Sequence, residues 1–151
     1  MAIVDTSVTT TKKILIDELR TALGIATQAQ QETGTSVATM VSPGRQQFHP
    51  SAAKWWIRFD GTSATAVNAS YNNTSLTDNG TGDYTITIAT DFSSTAWAPV
   101  GMSMDNSAAG NVITMHSAPS EGSIRALTFT SATGVPADSA AVGLVGYGDQ
   151  A

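Results

Sequence analysis

Short segments of alternating apolar and polar residues fill the chain from residue 54 to its end. Clusters of Gly, Asn, Asp or Pro separate them: KWWIRFDG, ATAVNASYN, DYTITIATDF, VGMSMD, NVITMHSA, SIRALTFTSA and AAVGLVGYG. Alternation sends successive side chains to opposite faces of a strand, and regular turn residues are typical of antiparallel sandwiches and barrels. The sequence therefore predicts a mainly β fold, an antiparallel β-sandwich (jelly-roll or Ig-like) head preceded by a short N-terminal helix and an extended arm.

A helical pattern precedes the strands. Four apolar residues recur at the spacings of one helix stripe: Ile16, Leu19, Leu23 and Ala26. Gly24 either ends this helix or weakens it midway, and IATQAQQETG could add a turn or two that closes at Gly34. So narrow a stripe cannot hold an isolated helix in water, so we expect it to pack on its own domain, on copies of the chain or on another protein.

These patterns divide the chain into three parts. Residues 1–34 form an arm and helix for attachment or oligomerisation, and residues 54–151 form the β-sandwich head. Residues 35–53 connect them, because this stretch holds two prolines, a Pro-Gly turn and mixed polar residues.

Composition narrows the possible functions. The chain has no cysteine, which excludes disulfides and zinc–thiolate sites. From residue 60 onward eight acids face one base, Arg125, so we expect no nucleic-acid binding. No signal peptide or membrane-spanning segment is evident, so we expect synthesis in a cytoplasm, whatever the final location, and no membrane insertion.

The stretch LTDNGTGDYT predicts a hairpin. Asn79 and Gly80 at its centre both tolerate positive φ, which tight hairpin turns require. A calcium loop would need acids at alternate positions and a distant Glu, whereas Asp78 and Asp83 are five residues apart and no Glu follows. We therefore expect a turn and no metal site.

Catalytic patterns are incomplete. His49 and His116 stand in different regions, without an acid at ligand spacing, and GxSxG, P-loop and GxGxxG motifs are missing. Most acids lie beside Gly or Asn in turns, where Asp is expected for backbone reasons. We expect no enzyme activity and no cofactor, although a pair of carboxylates that meet only in space stays open.

Trp55 and Trp56 are adjacent in a predicted strand, so one faces the core and the other faces outward. An exposed Trp is costly without a partner. The outward Trp therefore predicts a subunit interface, with a ligand platform or edge packing as alternatives.

The segment GIATQAQQETGTSVATMVSPGRQQFHPSAAKWW resembles the connector-and-head segments of tail fibre and related virion proteins of tailed bacteriophages. Nine residues match the pattern of those proteins: Gly24, Ile25, Ala26, Ala29, Gly34, Thr35, Val41, Ser42 and Pro43. GRQQFHPSAAK and DNGTGDYT are the most specific pieces, and the resemblance covers roughly residues 24–92.

The resemblance implies a homotrimeric structural protein of the virion, a short tail-fibre-like or head-fibre protein. It would attach through its N-terminus to tail, portal-proximal or capsid proteins and carry a projecting β head. Host surface glycans are a further expected partner, because hydroxyl and amide groups suit weak multivalent sugar binding. The expected receptor-facing loops hold Asn72, Asn73, Asp78, Asn79, Asp105 and Asn106. Two alternatives stay open: a capsid decoration protein, and a bacterial glycan-binding or carbohydrate-active domain.

Overall fold

The computed structural model describes residues 22–62, 65–104 and 110–150. The chain divides into two compact units between Gln46 and Gln47. This boundary falls inside the predicted connector, residues 35–53. We call the second unit, Gln47–Ala151, the head.

Within residues 22–46, the described part of the N-terminal unit, the structure has two short helices, α1 (Gln28–Thr33) and α2 (Pro43–Gln46). Thr27 caps α1 in a reciprocal capping box with Gln30, and Gly34 ends the helix in the left-handed conformation. The closure predicted at Gly34 is therefore confirmed.

The predicted helix stripe ends earlier than its spacing suggested. Gly24 has a φ of 61°, so the chain leaves the helical conformation there. Ala26 lies beyond that glycine, where its N–H donates to the Met40 carbonyl at 2.8 Å and its side chain is buried within this unit. Leu23 is exposed, whereas Ile16 and Leu19 lie outside the described residues.

The described residues of the head form eight antiparallel strands. They are β1 (Trp55–Asp60), β2 (Ala66–Tyr71), β3 (Asn73–Gly80), β4 (Asp83–Ile88), β5 (Ala98–Met104), β6 (Asn111–Met115), β7 (Ser123–Thr130) and β8 (Ala141–Tyr147). The first sheet has the order β2-β1-β8-β5, and the second sheet has the order β3-β4-β7-β6. The predicted mainly β sandwich is confirmed. Its strand order differs from the A-B-E-D sheet of immunoglobulin constant domains.

One core lies between the two sheets. Alternate residues of β1 and β4 point into it, and all of them are buried: Trp55, Ile57, Phe59, Tyr84, Ile86 and Ile88. The rings of Phe59 and Tyr84 meet edge to face across the core, with centroids 4.9 Å apart. The period-2 pattern therefore buries one side of each strand and leaves the other side for water or a partner.

The hairpin between β3 and β4 forms as predicted, but its reversal lies two residues further along the chain. Strand β3 continues through Gly80, which pairs with Asp83, and the register shifts after Asp78. Thr81 and Gly82 make the turn, with Gly82 at a φ of 68°. A tertiary contact fixes this choice, because the Gly82 N–H donates to Asp138 Oδ1 at 2.7 Å.

Candidate interaction surface

The outer faces of the two sheets differ in chemistry. The outward positions of β4 and β7 in the second sheet carry mainly hydroxyl and charged side chains: Asp83, Thr85, Thr87, Ser123 and Arg125. Such groups hydrogen-bond with water. This face is the one expected for a strand that alternates between core and solvent.

The outer face of the first sheet is apolar instead. One row across the sheet runs Tyr71, Trp56, Val145 and Val100, each paired with the next in register. Within this row Trp56 is 38% exposed, and Tyr71 and Val100 are exposed further. Large apolar side chains therefore lie across the middle of this sheet, whereas the second sheet presents hydroxyl and charged groups on β4 and has its outward apolar residues at Val112, Leu127 and Phe129.

A second row continues the same surface and includes Arg58, Gly143 and Met102, again in register. Met102 is 75% exposed, and Met104 follows it outward on β5. Because Gly143 has no side chain, a shallow hollow of about 310 Å³ opens above it. We call this whole surface the apolar face; its members are Trp56, Arg58, Tyr71, Val100, Met102, Met104, Gly143 and Val145.

The adjacent tryptophans behave as the alternation predicts. Trp55 is fully buried and contacts Trp97 edge to face, with centroids 6.0 Å apart, while Trp56 faces outward. The sequence found Trp56 but missed the rest of the apolar face. VGMSMD does place Val100, Met102 and Met104 on one side of a strand, but the sequence alone does not say whether that side is core or surface.

Charge is sparse on the apolar face. Arg58 lies within it, and Asp60 follows two residues later on the same side of β1. The Thr62 hydroxyl and backbone N–H donate to Asp60 Oδ1 at 2.6 and 2.8 Å, and they lower the pKa of this carboxyl. Trp, Tyr, Met and Arg are enriched at protein–protein interfaces and acids are depleted, so the face has the composition of an interface.

Asn72 and Asn73, predicted as receptor-facing, lie where the chain crosses between the sheets. The Asn72 amide group donates to the carbonyls of Lys54 and Thr90 at 3.1 and 3.0 Å, and it accepts the Thr90 N–H at 2.7 Å. Asn73 begins β3, and its Oδ1 is buried. Sequence reasoning missed that Asn72 holds two connections of the fold together.

Asp78 and Asn79 are exposed at the end of β3. Asp78 accepts hydrogen bonds from Thr65 Oγ1 at 2.6 Å and from the Gly80 N–H at 2.9 Å, and these contacts lower its pKa. Asn79 Nδ2 donates to Thr85 Oγ1 at 2.8 Å. Asp105 and Asn106, the other two predicted loop residues, lie outside the described part of the chain.

One ion pair lies on the second sheet. Arg125 Nε and Nη2 donate to the two carboxylate oxygens of Asp83 at 2.8 and 2.5 Å. This bidentate contact lowers the pKa of Asp83. Because these charged groups lie on paired strands, their contact stabilises the pairing of β4 with β7.

His116 neighbours this pair, because its backbone N–H donates to the Arg125 carbonyl at 2.9 Å and its interaction with Asp83 also lowers the pKa of that carboxyl. His49 lies elsewhere along the chain. His49 Nδ1 lies 2.6 Å from Ser51 Oγ, and the exposed His116 follows the end of β6. Among the residues described here, no three His, Asp or Glu side chains group as metal ligands would. In the same ranges, no helix is long and apolar enough to cross a bilayer.

A buried polar network was not visible in the sequence. The Tyr84 hydroxyl donates to Asp138 Oδ1 at 2.9 Å and approaches the Gly61 carbonyl at 3.2 Å. Burial and the Asp138 contact raise the pKa of Tyr84, so its hydroxyl stays protonated and acts as a donor. Tyr84 and Asp138 are 54 residues apart in the sequence, so no local sequence motif predicts their contact.

No protein family, curated protein sequence or solved structure matches the chain. The apolar face is therefore the described feature that indicates a role most directly.

Proposed function

We propose that this protein is a non-enzymatic structural component of a bacteriophage virion, a short tail-fibre-like or head-fibre protein. In this proposal its N-terminal residues attach it and assemble it as a homotrimer, and its β-sandwich forms a projecting head. The resemblance of residues 24–92 to phage fibre segments motivates the location in a virion. The apolar face supports a role in assembly.

The apolar face is the main support for this proposal, because exposing a contiguous apolar surface to water costs free energy. Single exposed apolar residues are ordinary, but a contiguous patch on a soluble protein usually marks an interaction site. The face spans all four strands of the first sheet, through Tyr71, Trp56, Val145 and Val100. A protein that works by contact with other proteins needs such a surface.

Capsid decoration is a second candidate, and the same observation favours it. A decoration protein would place Trp56 and the apolar face against the capsid lattice, and its head would be monomeric when free. A fibre would instead bury that face within its own oligomer. The state of the free protein therefore distinguishes the two candidates.

Host glycan contact belongs to the fibre proposal and stays a prediction. Asp78 and Asn79 are the described residues that fit it best, because both are exposed. The amide of Asn72 is already hydrogen-bonded to Lys54 and Thr90, so we assign it a structural role instead.

Two measurements test the proposal. Native mass spectrometry of the full chain, and of the chain without residues 1–46, should show a trimer that is weakened by the truncation. Antibodies raised against the head should label particles purified from a lysate of the source culture, with labelling at the tail or capsid visible by electron microscopy. Particles that carry no label would refute a virion role, and turnover of a polysaccharide panel by the purified protein would refute the non-enzymatic assignment.

A further inference from the structure

We infer that the apolar face is the surface through which one head packs against the same face of a second copy of this chain. The inference rests on the proposed assembly function and deepens it, because it names the contact surface and its occupant. Every residue of the apolar face belongs to the head, so the contact does not involve the N-terminal residues.

The area of the face suits a protein partner. Five of its side chains are between 38% and 75% exposed: Trp56, Tyr71, Val100, Met102 and Met104. Together they present on the order of 500 Å² of surface, since large side chains of this kind each offer roughly 150–250 Å². Two such faces in contact would bury roughly 1,000 Å² in total, which is the lower limit for a specific interface.

A small molecule or sugar fits this surface poorly. Binding sites for such ligands enclose the ligand and fix its orientation with a few convergent polar groups. Here the hollow is shallow, and among the residues that line it the Arg58 guanidinium and the Trp56 indole N–H are the polar side-chain groups. The surface therefore offers mainly apolar contact area and few convergent hydrogen-bonding groups for a sugar.

A second copy matches the face in shape. Met102 protrudes beside the hollow above Gly143, so each copy carries both a flexible apolar projection and a depression. In a symmetric contact the same patch serves both partners, and residue i of one meets residue j of the other. Met102 of one copy can then fill the hollow at Gly143 of the other, and the reverse.

The charges permit this contact. The head contains eight acids against Lys54, Arg58 and Arg125, so copies repel each other at most surfaces. The apolar face carries Arg58 with Asp60 at its edge, and these two can pair reciprocally when β1 strands of two copies run antiparallel. The second sheet presents hydroxyl groups and the Asp83–Arg125 pair, which would be desolvated without compensation against an apolar surface.

The test introduces a charge into the hollow of the full-length chain. In Gly143→Glu the new Cβ meets only Met102 Cγ, at an ordinary 3.5 Å, so the head should fold. Thr87→Glu is the matched control, because it adds the same charge to the outer face of the second sheet. Met102→Ser is a second variant that removes the projection without adding charge. Equal far-UV circular dichroism spectra for all four proteins would establish that folding is intact, since thermal midpoints also depend on the oligomeric state.

Sedimentation and native mass spectrometry should show oligomeric wild-type protein and an oligomeric Thr87→Glu control. Gly143→Glu should raise the dissociation constant at least about tenfold, because its side chain fills the hollow that Met102 of the other copy would enter and its carboxylate, although beside Arg58, would lose its water. Met102→Ser should weaken association less. A two-fold contact joins heads in pairs, so complexes should contain an even number of copies: two, or six where the N-terminal residues also form the proposed trimer. A complex that stays at three copies at all concentrations would overturn the inference.

Trp56 provides a second readout. Trp55 and Trp97 are 0% and 5% exposed, so a soluble quencher reaches mainly Trp56. Its quenching should fall as the protein concentration rises and stay constant in Gly143→Glu.

The outcomes separate the inference from the proposed function. If wild-type protein is oligomeric and Gly143→Glu dissociates no more readily, this face is not the contact, while assembly through other residues stands. A wild-type protein that is monomeric at all concentrations would overturn the inference, and particle labelling would still decide the virion role.

Discussion

Gly82→Ala should be among the most damaging single-methyl additions in the head. Gly82 has a φ of 68°, and a Cβ placed on it would lie 2.4 Å from the Thr128 carbonyl oxygen and 2.8 Å from the Ala137 nitrogen. Neither neighbour can retreat freely, because the Thr128 N–H donates to the Gly82 carbonyl and the Ala137 N–H donates to the Thr128 carbonyl. The turn, β7 and the connection to β8 would have to separate.

The magnitude follows from a matched pair of glycines. Gly134 has a φ of 67°, and a Cβ there would meet nothing within 4 Å. Ala at either position incurs the left-handed strain of about 1–2 kcal/mol. Gly82→Ala also breaks two or three backbone hydrogen bonds, each worth roughly 0.5–1.5 kcal/mol. We expect the free energy of unfolding to fall by about 1–2 kcal/mol for Gly134→Ala and about 3–5 kcal/mol for Gly82→Ala.

Urea unfolding followed by tryptophan fluorescence measures both variants, since all three tryptophans lie in the head. Equal losses at the two positions would refute the reasoning, because they would mean that the β3–β4 turn moves away from β7 at no cost.

Three further predictions concern single side chains. Folding lowers the pKa of Asp83 below its ordinary value of 3.8. The ionised carboxylate therefore stabilises the fold above about pH 4, and this stabilisation is lost as the pH falls through the folded-state pKa. In Asp83→Asn, the free energy of unfolding should depend less on pH over that acidic range. At neutral pH the free energy of unfolding of this variant should fall by only about 1 kcal/mol, since Arg125 is partly exposed. A pH profile identical to that of the wild type would contradict the stabilising role of the Asp83 carboxylate. Asn72→Gly keeps a residue that tolerates positive φ but removes three side-chain hydrogen bonds. Urea unfolding should therefore show a free energy of unfolding lower by about 2–4 kcal/mol. A variant that stays as stable as the wild type and loses only glycan binding would support the receptor role instead. Thr27→Ala removes the cap of α1 at a cost of about 1 kcal/mol, which should appear as faster hydrogen exchange at the Gln30 amide, while Thr27→Ser should exchange at nearly the original rate.

The outer faces of the two sheets differ in chemistry, and this difference bears on the proposed function. A sandwich that worked alone in water would be expected to coat both outer faces with polar groups, as β4 does here with Asp83, Thr85 and Thr87. The first sheet departs from that rule at Trp56, Val100 and Met102. These residues do not fill the core, so exposing them to water in the free head costs free energy that contact with a partner would recover. The oligomeric state is therefore the most informative measurement.

The sequence by itself determined the local features of this protein. Alternation fixed the strands and sent Trp55 inward and Trp56 outward, because a strand has only two faces. Gly34 marked the end of α1 because the left-handed conformation favours glycine over other residues. These features depend on neighbours along the chain, so a single sequence reveals them.

The tertiary structure alone decided the remaining features. The turn moved from Asn79–Gly80 to Thr81–Gly82 because Gly82 binds Asp138, 56 residues away. The exposed side of β5 became part of the apolar face because β5 pairs at the edge of the first sheet, beside β8. Contacts of this kind depend on which distant strands meet, and apolar residues alternate in the same way whether they face a core or a partner. Only the assembled sheets show that these residues face outward.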